Sequence, residues 1–193
     1  TDPNFSGQVV DSFSANVADA DTAEVVVLLS NSRAPQIFEP NTSGMSVTYT
    51  YSLVLSMMPL ASNVNITIVP DPPKESDLAN NAKGVKVKKA GQATFSDSVT
   101  VTFNDSNWYT PQEVHVRAEA DQVAEGLKAY TVKHSVEEGS SAEDGDPYDK
   151  AIVANVKVEV IDADSAERGQ LVPLTARYQA IETPWQPEGL LAL

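Results

Sequence analysis

Cysteine is absent from this chain of 193 residues. That excludes disulfides, zinc–thiolate centres and thiol nucleophiles. Positive charge is scarce: Lys and Arg number 13 against 27 Asp and Glu, for a net charge of −14 and a pI near 4.4. Such a surface repels phosphate backbones and anionic headgroups, so neither nucleic acid nor membrane insertion is expected. No apolar run reaches the length of a membrane span. No signal peptide opens the chain and residue 1 is Thr; the expected reading is a processed product or a piece of a longer chain. Histidine is confined to His115 and His134. Each sits in an alternating stretch, His115 pointing outward and His134 sharing a face with Tyr130 and Val132, so both read as structural. No Ser-His-Asp order, P-loop, Gly-x-Ser-x-Gly elbow or His-Glu-x-x-His motif occurs, and no enzyme is expected.

What the chain does have is period two. "MSVTYTYSLVLSM" (45–57), "NVNITIVP" (63–70), "SVTVTF" (98–103), "EVHVRAEA" (113–120), "AYTVKHSV" (129–136) and "ANVKVEVID" (154–162) all alternate apolar with polar residues. Successive side chains of a strand point to opposite faces, so this is the pattern of half-buried strands. "EVVVLLS" (24–30) is continuously apolar and reads as a strand covered on both sides. No amphipathic helix stands out. Six to eight strands with turn-rich connections predict an all-β, immunoglobulin-like antiparallel β-sandwich. Two stretches read as loops. One is 71–92, a polar insertion holding much of the positive charge; the other is the acidic, Gly/Ser-rich 137–149. Trp108, between two strands, reads as a core plug at one end of the sandwich.

A repeat sets the domain organisation. "DADTAE" (19–24) recurs as "DADSAE" (162–167). Asp19 and Asp162 lie 143 positions apart, as do Asp21 and Asp164, and Glu24 and Glu167. The expected layout is therefore the last strand of a preceding module at 1–21, a complete module at 22–164, and the start of a following module or a tail at 165–193.

The stretch "NWYTPQEVHVRAEADQVAEG" (107–126), the strand "YTVKHSV" and the closing "VKVEVIDAD" (156–164) resemble the second half of a Calx-beta-like repeat module. Such modules occur in sodium–calcium exchangers, an integrin subunit and large surface proteins. The resemblance implies tandem sandwiches and, in several members, calcium held near the module junction. Carried over by position, the implied ligands are Glu39, Asp121, Glu125, Asp162 and Asp164, with Asp71 as a further candidate. The chemistry is apt: calcium takes six to eight oxygens, mostly carboxylate and carbonyl, with flexible geometry. Asp162 and Asp164 are two apart on an extended segment, so they share a face and repel unless a cation separates them. Aspartates at strand ends also make ordinary Asx turns. Two departures from the family pattern bear on the site: Asp121 stands alone where a pair of acids is usual, and Pro40 follows Glu39 where glycine is usual.

The resulting expectation is a non-enzymatic structural repeat module of an extracellular or cell-surface protein, forming a rod or filament stiffened by calcium at its junctions. Its partners would be neighbouring modules and other copies, through strand or end-to-end contacts. The alternatives are an adhesive module recognising carbohydrate or protein through its loops, and a calcium-sensing regulatory domain. Loop 71–92 carries no aromatic, which counts against sugar stacking. Four Asn-x-Ser/Thr sequons, at Asn4, Asn41, Asn65 and Asn104, are candidate glycosylation sites.

Overall fold

Alternation of β-branched and aromatic residues with polar ones favours extended backbone packed on one face. The computed structural model bears this out and describes residues 21–30, 35–40, 46–60, 63–141, 145–149 and 151–164. In chain order they form β1 (Val25–Leu29), β2 (Gln36–Phe38), β3 (Thr48–Leu55), β4 (Val64–Pro70), α1 (Glu75–Leu78), β5 (Val85–Lys89), β6 (Val99–Phe103), β7 (Gln112–Ala118), β8 (Leu127–Glu138) and β9 (Val156–Ile161). One sheet runs β1-β3-β7-β5 and the other β2-β9-β8-β4-β6. Every pairing is antiparallel except that of β2 with β9. The protein is the all-β, immunoglobulin-like sandwich that the periodicity predicts. Residues 1–20 and 165–193, which hold the expected flanking modules, lie outside the described residues.

The core is the set of inward positions. Tyr49, Tyr51, Leu53 and Leu55 of β3 face Val64, Ile66 and Ile68 of β4, with Val114, Val116, Val132 and Val158 filling the layer between the sheets. Each buried aliphatic side chain of this kind stabilises the fold by roughly 1.5–3 kcal/mol. Trp108 is half-buried against this core, as expected, and its carbonyl accepts Leu55 N–H at 3.1 Å.

Two local expectations change, and one strand is added. The apolar run at 24–30 is not covered on both sides: β1 is an edge strand, and Leu28 and Leu29 are 42% and 52% exposed. A run of valines and leucines satisfies an edge as readily as a centre. The stretch 71–92 is not simply a loop. Its "ESDL" forms the single turn α1, which ends with Asn81 at φ 65°, Asn81 N–H on Leu78 O and Ala82 N–H on Asp77 O. This is a Schellman ending, and Asn is one of the few side chains that tolerate the left-handed position. The turn delivers the chain into β5, where Val85 and Val87 are buried and the lysines face solvent. Finally, the three-residue β2 is too short to leave a periodic trace.

The chain runs from one end of the sandwich to the other. Val25 opens β1 opposite Leu55, the last residue of β3. The start of β3, Thr48, pairs with Arg117 at the close of β7. The ends of β7, β2 and β9 meet there, tied by Glu39, whose carboxylate accepts Asp121 N–H at 2.6 Å and Ala163 N–H at 3.0 Å. Residues 21–25 and residues 162–164 therefore sit at opposite ends.

Candidate metal centre

At the exit end, three strand ends deliver carboxylates to one place. Glu39 follows β2, and Asp162 and Asp164 follow β9. Because β2 and β9 run parallel, with Phe38 beside Ile161, both strands release their acidic residues at the same level. One ligand oxygen from each of Glu39, Asp162 and Asp164 lies within 4.8 Å of the others. Glu39 and Asp162 are each only 3% exposed, whereas Asp164 is exposed.

Backbone N–H groups hold these carboxylates in place. Asp162 Oδ2 accepts from Glu125 and Gly126, and its Oδ1 accepts from Asp164. Asp121 Oδ2 accepts from Lys83 at 2.6 Å and its Oδ1 from Val123 at 2.7 Å. A carboxylate oxygen has two lone pairs, so an oxygen with a single N–H partner keeps capacity for another. The Asp162–Asp164 contact is also an Asx turn, so the turn and ligand readings of this segment are compatible.

The electrostatics are those of an acidic cluster short of counter-charge. Burial raises the pKa of Glu39, against hydrogen bonds from Ala163 and Asp121, and the charges of Asp121 and Asp162 add to the rise. Burial also lifts Asp162, but hydrogen bonds from Asp164, Gly126, Glu125 and the Glu39 side chain outweigh it and leave it below the ordinary carboxylate range. Opposite shifts on adjoining acids mean that Glu39 takes up a proton more readily than Asp162. Glu125 is pushed up to about 7 by burial and then by Asp121, and its Oε1 is buried with no hydrogen-bond partner. A buried carboxylate oxygen left unpartnered is expensive and marks a place where a cation or a proton belongs. The donor set is all oxygen and fits a hard cation such as calcium better than a transition metal.

Five of the six carboxylates named from the sequence thus lie around the exit end: Glu39, Asp162 and Asp164 together, with Asp121 and Glu125 coupled to them by hydrogen bonds and charge. Asp71 lies outside the tight trio. Its Oδ1 takes an ion pair from Lys133 Nζ at 2.6 Å, and its N–H goes to Thr131 O. Sequence reasoning missed Asp77 and Lys128, whose 2.7 Å ion pair places an ammonium near Glu125. They are 51 positions apart, and no local pattern joins them.

The remaining candidates have local roles. His115 is half-buried on the outer face, with Nδ1 2.9 Å from Thr50 Oγ1. Asn65 lies on the outer face of β4, and its side-chain oxygen accepts from Thr102 Oγ1 at 2.9 Å. Asn104 Oδ1 is engaged in a turn by Ser106 N–H and Oγ. Asn4 and Asn41 lie outside the described residues. Among the described residues no helix is long and apolar enough to cross a membrane.

No family model matches the chain, and no curated protein matches it. Among solved structures, the N-terminal domain of PorA aligns with a TM-score of 0.38 at 10% identity, over 74% of this chain and 100% of that one. The CooA pilin subunit from enterotoxigenic Escherichia coli aligns with a TM-score of 0.41 at 12% identity, over 72% and 97%. The seventh ScaB type I cohesin from Pseudobacteroides cellulosolvens aligns with a TM-score of 0.33 at 14% identity, over 75% and 94%. At these scores neither function nor assembly carries across from them.

Proposed function

We propose that the chain is a non-enzymatic, Calx-beta-like structural module of an extracellular or cell-surface protein, and that its exit end binds calcium. The observation that carries this reading is the convergence of Glu39, Asp162 and Asp164 within 4.8 Å, with Asp162 bonded to the backbone N–H of Glu125, whose own Oε1 is buried and unpartnered. Glu39, Asp162 and Asp164 would hold the ion, with Asp121 and Glu125 supporting them. Calcium would supply the positive charge that these buried carboxylates lack. In its absence Glu39 is left buried beside the like charges of Asp121 and Asp162, and Asp164 stays in water.

The position of the site gives it a purpose. The chain leaves the module through Asp162–Asp164, so an ion there stiffens the segment leading onward. Entry and exit at opposite ends suit modules threaded end to end into a rod. Without the ion, the acidic end repels acidic neighbours, and the array flexes.

Isothermal titration of the full chain with calcium, and separately with magnesium, tests the reading. Saturable calcium binding that is lost in Asp164→Asn supports it. No heat above dilution, or equal response in Asp164→Asn, refutes it.

A further inference from the structure

Among the described residues the two sheets present four edge strands, β1, β5, β2 and β6, and three of them are guarded. On β6, Lys89 Nζ donates to Thr100 O, and Gln112 Nε2 and Asn107 Nδ2 donate to Thr102 O; just before the strand, Ser96 Oγ donates to Ser98 O. On β5, three of five residues are lysines, and Val87 exchanges both backbone hydrogen bonds with Ser96 at 2.9 Å. On β2, the strand is three residues long and lies between Pro35 and Pro40. Lysines, prolines, short length and covered carbonyls are the usual means of preventing edge-to-edge pairing.

The β1 edge has none of them. Val25–Leu29 contains no charge and no proline. Among the described residues, no strand pairs with its outer side and no side chain reaches its carbonyls. Its last two leucines are the exposed ones. A strand guarded so differently from its three counterparts is open to strand addition.

The backbone parity fixes how it would be used. Ser56 N–H donates to Glu24 O at 2.9 Å, so Glu24, Val26 and Leu28 turn their peptide groups toward β3. Val25, Val27 and Leu29 then turn theirs to the open side, since the direction alternates along a strand. We propose that β1 pairs antiparallel with β1 of a second copy, about a two-fold axis through Val27, joining two four-stranded sheets into one. In that register Val27 faces Val27 of the other copy, and Val25 faces Leu29. All three residues whose peptide groups face the open side exchange two hydrogen bonds with their opposites. Glu24 falls opposite Ser30, so no like charges meet, which matters for a chain of net charge −14. A second copy is favoured over an unrelated strand because this one sequence satisfies both sides of the pair. The contact lies along the flank of the sandwich, away from the carboxylates, and is independent of the cation.

Sedimentation equilibrium of the full chain at physiological salt tests this, with chelator and with calcium in parallel. The expected result is a mass moving from one chain to two as concentration rises, the same in both buffers. The double variant Leu28→Lys with Leu29→Lys stays at one chain while keeping its circular dichroism and melting. Because the chain lacks cysteine, Val27→Cys gives a single probe. Its Cα atoms would lie about 5.5 Å apart across the axis, within disulfide reach. Oxidised Val27→Cys forms a reducible dimer, whereas Ser98→Cys, at the start of the guarded β6 edge, does not. A single-chain mass at every concentration with Val27→Cys uncrosslinked overturns the proposal. So does a dimer that survives the two lysines, or equal crosslinking through Ser98→Cys.

Discussion

Tyr51 Oη lies 2.9 Å from His134 Nε2, a hydrogen bond that crosses the core from β3 in one sheet to β8 in the other. Tyr51 is 1% exposed, and its ring meets the imidazole edge to face at 5.6 Å. Burial pushes the His134 pKa down from 6.5 to about 4. A base whose folded pKa is depressed contributes stability that is complete above pH 6.5 and lost as pH falls toward 4. Glu125 works the other way over an overlapping range, because its raised pKa of about 7 means stability is lost as pH rises from its ordinary value toward 7. The comparison is therefore between wild type and His134→Gln. Urea midpoints should show wild type losing about 3 kcal/mol relative to the variant between pH 6.5 and pH 4. A constant gap would refute the buried neutral imidazole.

Tyr148 closes the end of the sandwich opposite the carboxylates. It is fully buried, and its hydroxyl donates to Met57 O at 2.6 Å and accepts Met57 N–H at 3.0 Å. Tyr148→Phe leaves both backbone groups without that partner. Thermal melting should register a loss of about 1–3 kcal/mol, with no change in any calcium response.

Asp164 and Asp71 separate cation binding from general acidity. Asp164 is exposed, so Asp164→Asn should leave stability in chelator within about 0.5 kcal/mol of wild type while shrinking the calcium response. Asp71 is held by Lys133. Asp71→Asn should therefore leave the calcium response intact. Paired melts in chelator and calcium check both.

Asp162 is a keystone as well as a ligand candidate, since it receives three backbone N–H groups. In Asp162→Asn the new amide donors face at least one of those donors. The variant should lose about 2–3 kcal/mol even in chelator, measurable as a lowered urea midpoint.

Period two made β3, β4, β6, β7, β8 and β9 legible, because each buries one face and wets the other. β5 carries the same signal in Val85 and Val87, but the lysines around them read as loop. β1 was visible as a strand, yet its edge position was not, since a wholly apolar strand looks alike in the middle of a sheet and at its rim. The carboxylates of the exit end were nameable through resemblance, and Asp162 with Asp164 through spacing. What brings Glu39 to them is the parallel pairing of β2 and β9, a contact across 123 positions between Gln36 and Glu159. Nothing local encodes such a contact. Nor does local sequence show that Lys133 takes Asp71 out of the group.

The binding of a cation at the exit end is tested most directly by the melting temperature of the full chain, measured in chelator and then in millimolar calcium. A ligand present at about a hundred times its Kd stabilises the folded state by roughly 2.7 kcal/mol, a rise of several degrees for a module of this size. The account predicts that rise in wild type, and its loss in Asp162→Asn combined with Asp164→Asn. Identical melting with chelator and with calcium would contradict it.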